Sequence, residues 1–458
     1  MTARVSQPPA AASLRHAGNA LEGSAPSARP ATTFGPWYTV FALTLLAVIA
    51  GLDRQCLSLL VPLIKADLHL SDTRVSLLVG LSVTLFSAGM AIPAGWIVDR
   101  HSRKWFVGIG AALWSCTTMA CGLARNFWEL FLGRAGTGFT ESGLGPAAFS
   151  LIRDTLPPDR HGRAFAVYGT ALGLSASLAM LVGGGLIAML GPDGRYALPV
   201  VGIMKSWQIV LIVIGAAGLP FALLVLPMAE PARAAAASGA VTYRSALAGM
   251  WAHWRVFLPL LLYGAAFNAM SVASVAWMPS VISRSYGLSL ADIGLTLALV
   301  MGVAPPAGVL ASGALLDHLV GRGVVDGAER LGLTVTLLIL FPMIAMPLAP
   351  GIGTFWLAVI VFFFLAGMTV PVGQVLLARI TPPRASGKTS ALFSLVFAVL
   401  GGALGPAAVG LMSDLLFDGA RGLSRAVALW SVLTVIGAAA AMVWLIRELR
   451  GFDASRAS

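Results

Sequence analysis

Polar positions along this chain are separated by about the length of helix that crosses a bilayer. Apolar stretches recur from residue 37 to residue 447, interrupted by short clusters of Arg, Asp, Pro and Gly. A helix needs about 20 consecutive apolar residues to cross a hydrocarbon core. Twelve segments meet that length, near 37–63, 74–98, 104–124, 127–153, 162–190, 205–227, 253–284, 288–316, 331–349, 353–379, 386–416 and 425–447. The longest interval between them contains ARAAAASGA and divides six spans from six. The pattern predicts an all-α integral membrane protein of 12 transmembrane helices. Its expected parts are a tail at 1–33, a six-helix bundle at 34–227, a linker at 228–252, a second bundle at 253–448 and a tail at 449–458.

Composition supports this pattern. The chain is 58% hydrophobic and 11% charged, whereas soluble domains carry about 25% charged residues. The 51 glycines suit closely packed membrane helices. Cys56, Cys116 and Cys121 fall inside apolar runs and read as small hydrophobes, not as a disulfide framework. Residues 1–33 are rich in Ala, Ser and Pro, the composition of a disordered tail.

The net charge of +11 changes the picture through its placement. Twelve spans put both termini on one side, and most Lys and Arg residues fall in the loops of that side. Only Lys65, Arg74, Arg125, Arg195, Lys205, Arg284, Arg421 and Arg425 fall on the other. The positive-inside rule therefore predicts cytoplasmic termini. Topology accounts for the charge, so nucleic acid is not an expected partner. The expected location is a multi-pass position in a bacterial plasma membrane.

The two halves repeat. AIPAGWIVDR ends the second span and VLASGALLDH the eighth, each with Gly followed four residues later by Asp: Gly95 with Asp99, Gly313 with Asp317. TLPPDRHGRAFAVY precedes the fifth span and ITPPRASGKTSALF the eleventh, aligning Pro157 with Pro382 and Arg163 with Lys388. Parallel six-span repeats are a transporter architecture. The segment Gly95-Trp-Ile-Val-Asp99-Arg100-His-Ser-Arg103-Lys104 resembles the signature loop of the major facilitator superfamily, with Ser102 where glycine is usual. The expectation is a conformational latch. Gly95 admits a neighbouring helix, Asp99 accepts from a helix N-terminus opposite, Arg100, Arg103 and Lys104 pair with nearby acids, and Asp317 echoes Asp99. The fifth span keeps Gly169 and Gly173 but lacks the proline of the drug-antiporter motif, which argues against that branch.

Four charges sit inside apolar spans. Asp53 and Arg54 are consecutive in GLDRQCL, so they point about 100° apart and each needs a partner on another helix. Arg134 and Glu141 lie two turns apart in GRAGTGFTESG and share a face. Spans one and four run in opposite directions, which brings all four into one layer. Each such charge costs about 2.5–3.5 kcal/mol at the bilayer centre, so an intramembrane carboxylate marks a proton or ligand path. The matching positions of the second half hold no charge; Asn268 and Gln374 are the polar residues there.

Several pieces together resemble the spinster branch of that superfamily: Leu52-Asp53-Arg54-Gln55, Leu70-Ser71-Asp72, Val98-Asp99-Arg100, Leu113-Trp114-Ser115, Phe127-Trp128-Glu129-Leu130-Phe131, and Glu141 with Pro146-Ala147-Ala148. The resemblance is strongest over residues 45–190. It implies a proton-linked carrier of a lipid or lysolipid in which the span-four acid, here Glu141, is essential. Asp53 is the second expected proton carrier. Arg54, Arg134, Phe139, Asn268 and Gln374 are the expected substrate contacts. Phe139, with Thr140 and Ser142, departs from the GVGEA-like run of the branch and bears on substrate choice.

The sequence reading is thus a monomeric proton-coupled transporter of an amphipathic anion, working by alternating access. A proton symporter of a small organic anion, such as a sugar acid or aromatic acid, and a non-transporting ligand sensor are the alternatives. No nucleophile–base pair or metal-ligand cluster is apparent, so neither an enzyme, a cofactor nor a metal is expected.

Overall fold

The computed structural model describes residues 35–199, 201–231, 242–324, 326–382, 385–419 and 421–457; the expected tail at 1–33 lies outside them. The first half contains α1 (Pro36–Leu68), α2 (Asp72–Ser76), α3 (Ser82–Arg100), α4 (Arg103–Gly122), α5 (Phe127–Glu141), α6 (Leu144–Thr155), α7 (His161–Leu190) and α8 (Ser206–Ala222). The second contains α9 (Tyr243–Ala252), α10 (Trp254–Tyr286), α11 (Leu290–Gly321), α12 (Gly327–Leu348), α13 (Ile352–Ile380), α14 (Ser386–Phe397), α15 (Gly405–Leu416) and α16 (Gly422–Ala457). Short π-helical stretches, Leu77–Leu81 and Ala398–Leu404, join α2 to α3 and α14 to α15. Among the described residues, 11 helical segments are long and apolar enough to cross a membrane.

The segment expected as a fourth single span is instead broken into α5 and α6, of 15 and 12 residues. Pro146 explains the break, since it has no N–H to give the carbonyl of Ser142, four residues earlier. The chain also turns tightly at Gly143. A Cβ there would lie 2.0 Å from Cε1 of Phe106, so a larger residue would displace that ring. The break falls immediately after Glu141.

Three further details depart from the sequence pattern. The loop between α7 and α8 forms an antiparallel hairpin, β1 (Arg195–Leu198) and β2 (Gly202–Lys205), so the fold is not purely helical. The interval 228–252 contains the helix α9, and α16 continues through the expected tail to Ala457. Cys116 is exposed rather than buried, and all three cysteines are free.

Helix termini follow local rules. Ser71 accepts the N–H of Arg74 at 3.2 Å, and Asn126 accepts that of Glu129 at 3.0 Å, each supplying a cap to a bare helix start. His69 takes a left-handed conformation (φ 50°, ψ 48°) and ends α1.

The halves meet at the end of the molecule opposite the termini. There α2 packs on α15, the two π stretches pack on each other, and α7 packs on α11. Glycine permits these crossings. A Cβ on Gly80 would lie 2.6 Å from the carbonyl oxygen of Gly402, and one on Gly294 would lie 2.5 Å from that of Met180. One apolar core accordingly runs through both halves, from Leu52 and Cys56 to Leu445 and Leu449. At the end bearing the termini the first half keeps its own core, built around Leu43, Ala111, Leu151 and Val225. There Gly95, Gly169, Gly173 and Gly313 would meet nothing within 4 Å if given a Cβ. The molecule is closed at one end and open at the other.

Candidate functional site

The four intramembrane charges form two crossed pairs between α1 and α5. Asp53 is buried and accepts a hydrogen bond from the Thr118 hydroxyl at 2.7 Å. Its other oxygen lies 3.7 Å from Nη1 of Arg134. Arg54 pairs with Glu141. Consecutive residues on α1 therefore take partners two turns apart on α5, as the helix geometry requires.

The two pairs differ in exposure. The Arg134 side chain is 1% exposed, and none of its nitrogens has a hydrogen-bond acceptor among the described residues. Its five donors thus have only the Asp53 carboxylate, at 3.7 Å, close to them. The Arg54 side chain is 48% exposed, and that of Glu141 is 10% exposed. Arg54 can thus leave Glu141 without leaving solvent, whereas Arg134 is fixed. Phe139, two residues before Glu141, is 49% exposed.

The second half supplies less than expected. Asn268 donates to the carbonyl of Phe397 at 2.6 Å. That carbonyl opens the π stretch, where the regular helix bond is lost, so Asn268 serves the backbone of the eleventh span. A Cβ on Gly401 would lie 2.0 Å from the Asn268 amide nitrogen, which shows how closely that side chain is held. Gln374 is exposed, with no hydrogen-bond partner among the described residues. The Phe267, Met270, Trp277, Phe362 and Phe363 side chains are buried in the core.

The signature loop is split between two conditions. Arg103 is buried at 1% exposure and bridges Asp154, Ser150 (2.8 Å), Glu230 (3.0 Å) and the Pro231 carbonyl (2.6 Å). The Lys104 N–H donates to Glu230 at 2.9 Å, and its ammonium to the carbonyls of Leu226 and Met228. Ser102, standing where glycine is usual, caps α4 and donates to Glu230 at 2.8 Å. Burial works to raise the Glu230 pKa, but the donors from Lys104, Ser102 and Arg103 prevail and hold it below the usual carboxylate range. These contacts tie the first half to the start of the 228–252 interval and do not reach the second bundle. Arg100 stacks on Trp96, 4.4 Å from the ring centroid. Asp99 and Asp317 are exposed, without partners among the described residues. Gly95 admits no close helix here, against expectation, because the halves are apart at this end.

A charged cluster that the sequence reading left without a role closes the opposite end. Asp72 accepts a two-pronged pair of bonds from Arg284 (2.8 and 2.6 Å), one from Ser413 (2.8 Å) and one from Lys65 (2.5 Å). Asp414 accepts from the Asp72 and Thr73 N–H groups (3.1 and 2.7 Å) and from the Thr73 hydroxyl (2.7 Å). Both acids bind across the two halves. No period or motif links residues 212 and 342 apart in the chain; only Leu70-Ser71-Asp72 within the family resemblance touched it.

Taken together, the broken span, the buried ion pairs and two halves joined at one end define a multi-pass membrane transporter fold. The chain belongs to the Major Facilitator Superfamily, whose family model matches residues 43–406. An MFS-type efflux pump of Mycolicibacterium smegmatis is 31% identical over 415 residues, covering 88% of this chain and 91% of the pump. A probable L-galactonate transporter of Escherichia coli is 27% identical over 302 residues, 62% of each chain. The crystal structure of a bacterial homologue of the human lysosomal transporter Spinster, in an inward-facing and unoccupied conformation, superposes with a TM-score of 0.76 at 22% identity. It covers 91% of this chain and 97% of its own. The resemblance to the spinster-like branch therefore extends to the fold.

Proposed function

We propose that this protein is a proton-coupled secondary transporter that works by alternating access on an amphipathic anion, such as a lysolipid or sphingolipid-like molecule. The crossed pairs Asp53–Arg134 and Arg54–Glu141 carry this reading. Protonation of Glu141 releases Arg54, whose exposed guanidinium then takes the phosphate or carboxylate of the substrate. Asp53 is the second proton carrier and sets the charge balance at Arg134. Phe139 lies against the substrate at this layer, and Gln374 faces it from the second half. On this reading α5 and α6 together form the fourth span, which brings the number to twelve, and the basic loops put both termini in the cytoplasm of a bacterial cell. The open end then faces inward. Asp99 and Asp317 engage only when that end closes, completing the latch with Arg100, Arg103 and Lys104. The working unit is one chain.

The L-galactonate relative favours a second reading, proton symport of a small organic anion. The efflux relative favours export as the direction, the missing fifth-span proline notwithstanding. No observation favours a non-transporting sensor. Competition between a lysophospholipid and a short sugar acid for binding to purified protein separates the two transport readings. Proton movement driven by substrate in proteoliposomes tests both, and its absence with every substrate offered would overturn proton coupling.

A further inference from the structure

Away from the charged layer, at the closed end of the first half, a cleft of about 450 Å³ opens between the end of α1, the start of α2 and the start of α5. Its charge is one-sided. Arg74 and Arg125 line it with side chains that bond no described residue, and exposed His69 stands beside them on its left-handed backbone. The lining acid, Asp67, is already committed to Lys205 and to the Trp207 indole N–H at 2.8 Å. Glu129, nearby on α5, spends its two oxygens on the Arg125 N–H (2.7 Å) and the Asn126 amide (2.6 Å). Two guanidinium groups thus line the cleft without an ion pair among the described residues, and the one nearby carboxylate without an ion pair, Glu129, offsets only one of them; the remaining positive charge fits a phosphate.

A second observation says what the phosphate is attached to. The cleft is floored by Phe127 and Trp128, and the aromatic surface continues away from it down the helices. Trp128 is 68% exposed and meets Phe127 edge-on at 5.1 Å and Phe131 at 6.0 Å. Phe131 in turn meets Phe86 of α3 at 6.4 Å. Indole rings at the membrane surface mark headgroup depth. The chain of rings from there leads into the acyl region between α3 and α5.

We infer that this cleft and the aromatic track below it form a binding site for an anionic phospholipid, with the phosphate between Arg74 and Arg125 and an acyl chain along Trp128, Phe131 and Phe86. The site is separate from the Asp53–Glu141 layer and holds a resident lipid rather than cargo in transit. Its volume lies in the range of small-ligand sites, about 300–1,000 Å³.

The test uses the full-length protein in detergent, with lipid retention read by native mass spectrometry and stabilisation by thermal melting. The probes are phosphatidylglycerol, phosphatidylcholine and inorganic phosphate. Wild type is expected to retain phosphatidylglycerol about tenfold better than phosphatidylcholine. Arg74→Gln with Arg125→Gln removes that preference while melting as wild type does without lipid; both side chains are exposed, so folding is not at stake. Trp128→Ala with Phe131→Ala weakens phosphatidylglycerol retention and leaves any response to inorganic phosphate unchanged. An undiminished preference in the double glutamine variant overturns the site. If inorganic phosphate alone matches the stabilisation by phosphatidylglycerol, and the aromatic variant keeps full lipid retention, the cleft takes a free anion and the lipid assignment falls. Retention is measured without transport, so the result stands apart from proton coupling.

Discussion

Spans one and four and their counterparts in the second half occupy equivalent places in a repeated fold, yet they do different work. The first pair carries Asp53, Arg54, Arg134 and Glu141, joined across the helices. In the second pair the polar residue Asn268 is spent on the Phe397 carbonyl, and the large side chains of α10 and α13 are packed into the core. The repeat extends to the shape, and the intramembrane ion pairs lie in the first half alone among the described residues of these spans. The second half provides the partners that hold the closed end.

The sharpest way to break this asymmetry is to remove the buried member of the charged layer. Arg134→Met leaves Asp53 buried beside an apolar side chain. It is expected to cost about 3 kcal/mol of stability at neutral pH, read from melting in detergent. Arg54→Gln removes a half-exposed partner and should cost less, because solvent already reaches the Arg54 side of that pair. If the two variants melted alike, the distinction between a fixed and a releasable arginine would fail.

Next in size is the contact by which the second half reaches the first. Arg284→Met removes the two-pronged bond to Asp72 and should weaken the closed end by about 1.5–3 kcal/mol. Spin labels on the ends of α2 and α15 would report a larger separated population. Unchanged distances would mean that Lys65 and Ser413 alone hold Asp72.

On the uncharged side, Asn268→Leu leaves the Phe397 carbonyl without its donor. It should lower stability by about 1–2 kcal/mol with coupled flux intact. Loss of flux without loss of stability would return Asn268 to the substrate site.

The smallest effect is expected at Glu230. Its pKa is held below the usual carboxylate range, so its contribution is present above the ordinary carboxylate pKa. That contribution is lost as pH falls through the lowered value. Glu230→Gln should therefore lower stability modestly at neutral pH and leave the acid end, where wild type has already lost this contribution, little changed, which flattens the acid limb of the stability–pH curve.

Much of the fold was legible because apolar length is a direct consequence of bilayer thickness. The break after Glu141 was harder to see: Gly143 and Pro146 sit between two apolar runs whose combined length fits a single span. The hairpin at 195–205 escaped for the opposite reason, being two four-residue strands in a loop with no apolar run to mark them. In the site, residue spacing was informative. The 100° between Asp53 and Arg54 and the two turns between Arg134 and Glu141 called for partners on another helix, and the structure supplies them. What spacing could not show was which acid meets which base, or that Asn268 faces a π stretch. The Asp72–Arg284–Asp414 cluster was illegible because its members share neither helix nor repeat position. Long-range pairing leaves no mark on local sequence.

The most direct measurement is substrate-driven proton flux in proteoliposomes for wild type, Glu141→Gln and Asp53→Asn, with a lysophospholipid and a short sugar acid as substrates. If the charged layer of the first half couples protons to substrate, wild type moves protons with one of them. Each variant then falls to the level of empty vesicles while still binding substrate. Coupled flux unchanged in both variants would contradict the account.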